Sequence, residues 1–206
     1  MKFENDTFRE AYVMTNERFN HPQYLVKKRF LQLVGATFHI FDPAGNLAFY
    51  SKMKAFKLKE DIRLYTGEDM RTELLSIKAR QIIDFAATYD VNDSQTGEKV
   101  GALRRKGFKS VLVDEWVFLN QNDQEIGLIK EDSVPLALIR RFLMNLIPQT
   151  YQGTVAGNHV CTFKQNLNPF TMKITLDFSP EYQNRLDRRL GIAAAILLCA
   201  IEGKQD

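Results

Sequence analysis

The stretch Arg188–Gly203, RRLGIAAAILLCAIEG, constrains the fold more than any other part of the chain. From Leu190 to Ile201 it runs through 12 residues without a charge. At 1.5 Å per residue that is a helix about 18 Å long, short of the ~30 Å hydrocarbon core a membrane span must cross. Tyr182, Leu186 and Leu190 recur at i, i+4 and i+8, after which the run is apolar all round, the pattern of a helix buried on every side. Gly191, Ala193, Ala194, Ala195 and Ala200 keep it thin. Ser179 as N-cap, Pro180 at the first helical position and Glu181 near the positive end of the dipole predict a helix over about 180–203. A thin helix with no polar face needs a narrow tube around it.

The preceding residues can supply that tube. Between Tyr24 and Asp132, segments rich in Val, Ile, Phe, Tyr and Thr alternate with turn clusters at 42–46, 66–69, 92–97 and 120–123. VGATFHIFD places Val34, Ala36, Phe38 and Ile40 on one face; LAFYSKMKA places Leu47, Phe49 and Met53 on one face and Tyr50, Lys52 and Lys54 on the other. This is the alternation of a sheet with one solvated face. KRF, KAF, KAR and KGF recur about every 26 residues, each opening a strand, turn, strand unit. SVPLALIRRFLMNLI interrupts the pattern and predicts a short helix near 134–146, after which three or four more strands follow. The expected fold is all-β: about 12 antiparallel strands closed into a barrel around the C-terminal helix, since barrel diameter grows with strand number. A polar N-terminal segment, 1–22, is expected to be flexible, with one domain over 23–206.

Composition narrows the function classes. The chain has a net charge of +3, too little to imply nucleic acid as a partner. Cys161 and Cys199 sit in apolar settings without CxxC spacing, and the N-terminus lacks the apolar core of a signal peptide. Both point to a reducing, cytoplasmic setting. No convergent catalytic set is visible, so the expectation is a non-enzymatic protein with no cofactor. His21, His39 and His159 are far apart, and His159 with Cys161 on one strand face is the only nucleophile–base spacing. Asp90–Gly101 imitates a calcium loop but has Gln95 where glycine and Gly101 where glutamate are required, and reads as a hairpin turn. No metal site is expected.

The segments YLVKKRFLQLVGATFHIFDPAGNLAFYSKMKAF, RRKGF, IGLIKED and RRLGIAAAILLCAIE resemble the LURP-one-related proteins of the tubby-like and phospholipid scramblase-related superfamily. The resemblance covers roughly residues 23–203 and implies a 12-stranded barrel around a hydrophobic helix. It further implies a binding module that recognises anionic phospholipid head groups or a small anion through surface Lys and Arg, peripheral to the membrane. The alternative it implies is a protein-interaction or stress-response scaffold with a protein partner and no small ligand. The acid-rich calcium segment of scramblases is not matched, because KQNLNPFTMKITLDFSPEY carries only Asp177 and Glu181.

The candidate ligand-binding residues are basic. Lys52 and Lys54 share a strand face and Lys57 and Lys59 follow; Arg104, Arg105 and Lys106 form a second cluster. In a third, Arg185, Arg188 and Arg189 lie in the first half of the expected helix, away from the end where its dipole favours cations. Lys52, Lys54, Lys57, Lys59, Arg188 and Arg189 are the expected head-group ligands.

Overall fold

A computed structural model describes residues 17–31, 35–54, 61–83, 86–106, 115–132, 149–166, 172–181 and 183–201. Twelve strands close a barrel: β1 (Gln23–Leu31), β2 (Gly35–Phe41), β3 (Leu47–Lys54), β4 (Ile62–Tyr65), β5 (Glu73–Ile83), β6 (Ala86–Asp93), β7 (Lys99–Arg105), β8 (Glu115–Leu119), β9 (Glu125–Glu131), β10 (Thr150–Val155), β11 (Asn158–Asn166) and β12 (Met172–Asp177). Each strand pairs antiparallel with its neighbours in sequence, and β1 closes the ring on β12 with Val26 opposite Ile174 and Lys28 opposite Met172. The expected short helix at 134–146 lies outside the described residues.

Alternation decides what faces the axis. Tyr24, Val26, Phe38, Ile40, Phe49, Leu64, Leu75, Ile77, Val91, Leu103, Phe118, Phe163, Ile174 and Leu176 form one buried cluster with the helix α1 (Arg188–Ile201). Every residue of α1 from Leu190 to Ala200 is buried. Burying a leucine or isoleucine side chain contributes about 1.5–3 kcal/mol, so Leu190, Ile192, Ile196, Leu197 and Leu198 tie the helix to the wall strongly. Its thinness is required. A Cβ added at Gly191 would lie 2.5 Å from the Phe178 ring, and one at Gly101 would meet the Leu119 carbonyl oxygen and, at 3.0 Å, the Leu190 side chain.

The helix starts later than its expected boundary. Asp187, not Ser179, is the N-cap: its Oδ1 accepts from the Arg189 N–H at 2.9 Å, and its carbonyl oxygen accepts from the Leu190 N–H at 3.0 Å. Ser179 and Pro180 sit inside a turn closed by Glu181 N–H donating to Phe178 O at 2.8 Å. Cap-like residues serve turns as well as helix starts, and Asn184 at φ 51° breaks any helix between the two sites. The N-terminal boundary also moves. Residues 17–22 are packed, with Phe19 stacked on Phe49 at 4.7 Å and Arg18 donating to the carbonyl oxygens of Ala48 and Thr66.

At its other end the helix meets a buried cation. Lys28 points inward from β1, is 0% exposed, and donates through Nζ to the carbonyl oxygens of Cys199 and Ala200, both at 3.1 Å. The last carbonyls of a helix lack intrahelical donors and carry the negative end of its dipole. The α1 sequence itself places no basic residue in that last turn, so a strand supplies it.

Candidate functional site: an unpaired cationic wall

The outward positions of the barrel carry charge in two arrangements. Across β4–β9 seven cations are matched to carboxylates. Arg63 bonds Glu73 at 2.7 Å and Lys78 lies 3.6 Å from Asp61. Arg80 grips both oxygens of Asp90 at 2.6 Å and also bonds Asp123. Lys99 bonds Asp123 at 2.7 Å and Asp90 at 3.3 Å. Arg104 pairs with Glu125, and Lys106 and Lys130 share Glu115. Burial would raise the carboxyls of Asp90 and Glu115, but hydrogen bonds from Arg80 and Lys99, and from Lys106 and Lys130, overcome it and leave both lowered. Bonds from Arg80 and Lys99 hold the Asp123 carboxyl at about 2.

The wall formed by β11, β12, β1, β2 and β3 differs. Val26 and Lys28 face inward, so Lys27 and Arg29 face outward; Lys52, Lys173 and Lys164 take the corresponding positions on β3, β12 and β11. Lys27 is directly opposite Lys173. Arg29 and Lys52 flank Thr37 across β2, one on each side. Lys164 is opposite Thr175, two residues along β12 from Lys173. Among the described residues none of these five cations has a carboxylate partner; Lys27 rests its ammonium over the Phe41 ring at 4.4 Å. Directly opposed cross-strand residues have Cβ atoms about 4.5–5.5 Å apart, and like charges in that relation repel. The wall is a positive field with few internal counter-charges.

Its edge carries one. His39 on β2 is opposite Lys27 on one side and Tyr50 on the other. Its Nε2 lies 2.9 Å from a carboxylate oxygen of Glu68, in the β4–β5 turn. Phe41 stacks on the His39 ring and Tyr50 meets it edge-on. The residue is 9% exposed, and its buried Nδ1 has no hydrogen-bond partner among the described residues.

Of the sequence-predicted ligands, Lys52 lies on this wall. Lys54 ends β3, with its backbone opposite Gly35, and Lys57 and Lys59 lie outside the described residues. Arg188 and Arg189 are elsewhere, at the barrel rim where α1 begins, and their donors are committed internally. Arg188 donates to the His21 carbonyl oxygen at 2.6 Å and lies over the Phe178 ring. Arg189 clasps Asp187 and bonds Asp93 at 2.7 Å. Both anchor the helix start, at the end of the dipole that disfavours cations. Lys27, Arg29, Lys164 and Lys173 escaped the sequence reading. The alternation in YLVKKRF marks Lys27 and Arg29 as outward once Val26 is inward, but Lys173 joins them only through the closure of β1 on β12.

The thiol chemistry considered from sequence does not assemble. A bulge at Val160 sets Cys161 opposite Gly153 but His159 opposite Thr154, so the two leave opposite faces of β11. His159 Nε2 contacts the Cys161 carbonyl oxygen and the Thr162 hydroxyl, not the thiol. Burial pushes the Cys161 thiol up, and it pushes Cys199 up to about 12 against the opposing charge of Lys28. Both are unpaired cysteines, poor nucleophiles at neutral pH. The calcium-like loop is a hairpin turn: Asp93 Oδ1 accepts from the Gln95 and Thr96 N–H groups, and Oδ2 from Arg189. No cluster of three or more metal-ligating side chains occurs among the described residues. No helix among them is long and apolar enough to cross a membrane. Comparison with protein-family models, curated proteins and solved structures gives no match.

Proposed function

We propose that this chain is a non-enzymatic, tubby-like binding module that recognises anionic phospholipid head groups at the cytoplasmic face of a membrane through the β11–β12–β1–β2–β3 wall. The observation that carries the reading is the contrast in pairing: among the described residues Lys27, Arg29, Lys52, Lys164 and Lys173 have no carboxylate partner, whereas seven cations across β4–β9 are matched. The closed barrel around an apolar helix and the LURP-one-related segments quoted above support the same assignment, and the two buried, unpaired thiols suit a reducing compartment.

Each Lys or Arg near an anionic surface contributes about 1 kcal/mol, an effect that fades within a Debye length. Neutralising Lys27, Arg29, Lys52 and Lys173 together to Gln should weaken binding to phosphatidylglycerol vesicles by about 4 kcal/mol, roughly a thousandfold. Neutralising Arg63, Lys78, Arg104 and Lys130 removes the same charge from the paired wall and should change binding far less. Co-sedimentation at low salt and at about 0.5 M salt, where the attraction is largely screened, provides the measurement. Equal losses in the two variants, or no preference for anionic over neutral vesicles, would rule out this wall and favour the protein-interaction scaffold.

A further inference from the structure

The pair His39 and Glu68 borders the cationic wall and can change its charge. We propose that proton uptake at His39 tunes the wall's affinity for anions, so that anionic membranes are held more tightly in mildly acidic than in neutral solution; this rests on the reading of the wall given above. With His39 neutral, its Nε2–H donates to the Glu68 carboxylate at 2.9 Å, and the pair brings one negative charge to the edge of a wall of five cations. With His39 protonated the pair is neutral, and the wall's field rises by one full charge.

The groups that face His39 act as follows. Lys27, opposite on β1, opposes protonation by like charge. Tyr50, opposite on β3, stays neutral, its hydroxyl raised by burial and by Glu68. Tyr65 lies beyond it on β4. Phe41 covers the ring from the same strand. Glu68 alone favours the imidazolium. The Nδ1 adds a further constraint: protonation places a second N–H there, and among the described residues no acceptor meets it. An anion docked on the wall offsets the charge of Lys27 and so favours the proton. By linkage the proton then favours the anion equally.

Histidine is the side chain whose charge ordinarily changes between about pH 7.5 and about pH 5.5. The test is co-sedimentation with mixed phosphatidylglycerol–phosphatidylcholine vesicles at those two pH values, since a phosphodiester keeps its charge throughout. The intact chain should bind about fivefold more tightly at the lower pH, the effect of one unit charge at an anionic surface. H39Q keeps a donor for Glu68 but cannot titrate, and should bind equally at both. E68Q removes the counter-charge and should bind about fivefold more tightly than the intact chain at the higher pH, a result that does not depend on H39Q folding. Vesicle binding without pH dependence overturns this inference and leaves the wall standing. Persistent pH dependence in H39Q assigns the effect to His21 or His159 and also overturns it. No vesicle binding at either pH defeats the reading of the wall and this inference with it.

Discussion

The two halves of the barrel's outer surface use one backbone pattern for opposite ends. On β4–β9, outward positions alternate sign across strands, as where Arg80 and Lys99 bracket Asp90 and Asp123. On β11–β12–β1–β2–β3, outward positions bring Lys27 against Lys173 and Arg29 and Lys52 around Thr37. Exposed ion pairs contribute only about 0–1 kcal/mol each, so neither arrangement decides the stability of the barrel. What differs is the field left over. The paired half cancels its own charge. The unpaired half carries five cations, more than the chain's whole net charge of +3, so the remaining residues together are net acidic. A small net charge here conceals a polarised surface, and the lesson is that pairing rather than counting locates an anion-binding face.

The largest expected effect separates the inside of that unpaired half from its outside. Lys27 and Lys28 are adjacent on β1, but one faces solvent and the other is 0% exposed against the helix end. Lys28→Met removes the donor to two buried carbonyl oxygens, and leaving such groups unsatisfied costs about 1–3 kcal/mol. Urea unfolding should register that loss in Lys28→Met with unchanged m-value. Lys27→Met should leave stability within about 0.5 kcal/mol and reduce anionic vesicle binding instead. A stable Lys28→Met chain would mean that the helix carbonyls find other donors.

A smaller effect distinguishes the halves by pH. The Asp90, Glu115 and Asp123 carboxyls lie below their ordinary values. A carboxyl with a lowered folded value stabilises the fold above its unfolded value, near 4, and loses that contribution as pH falls through the folded value. Stability should therefore decline between about pH 4 and about pH 2 as the paired wall gives up its ion pairs. Asp123→Asn should flatten part of that decline, and Lys52→Gln should leave its shape unchanged. Denaturant midpoints measured across this range check both.

The sequence exposes the centre of the molecule better than its surface. Leu190–Ile201 has no polar face, so its enclosure follows from burial alone, and the regular spacing of turns between strands forecasts the barrel that encloses it. These are local patterns. The misplaced helix start shows where local pattern fails: Ser179-Pro180-Glu181 and Asp187 both look like beginnings, and the helix opens at the second, beyond Asn184 at φ 51°. The wall is harder still. Lys27 meets Lys173 because β1 and β12 close the ring, a contact between strands from opposite ends of the chain. The internal contacts of Arg188 and Arg189 are hidden for a related reason, since their partners His21 and Asp93 are remote in sequence. The Lys28 contact was invisible for a further reason. Lysine on a strand reads as an outward residue, and here the inward phase set by Tyr24 and Val26 overrides that preference because helix carbonyls are there to receive it.

The smallest expected effect is the most discriminating, because stability and binding should move in opposite directions. Lys173→Glu replaces a repelling cross-strand pair, Lys27 opposite Lys173, by an attracting one. Opposite charges in this position contribute roughly 0.2–1 kcal/mol, and like charges directly opposed are destabilising. The variant should therefore be slightly more stable than the parent at low salt, with the gain shrinking as salt is added. The same change converts part of the unpaired wall into a copy of the paired one. It removes one cation, introduces an anion and occupies Lys27, so affinity for anionic vesicles should fall by about 2 kcal/mol, near thirtyfold. Thermal unfolding and vesicle sedimentation on the same preparation give both signs. If stability and affinity fall together, the wall's cations support the fold and its openness to an anion is incidental. If stability rises while affinity falls, the repulsion between Lys27 and Lys173 is retained for what it attracts.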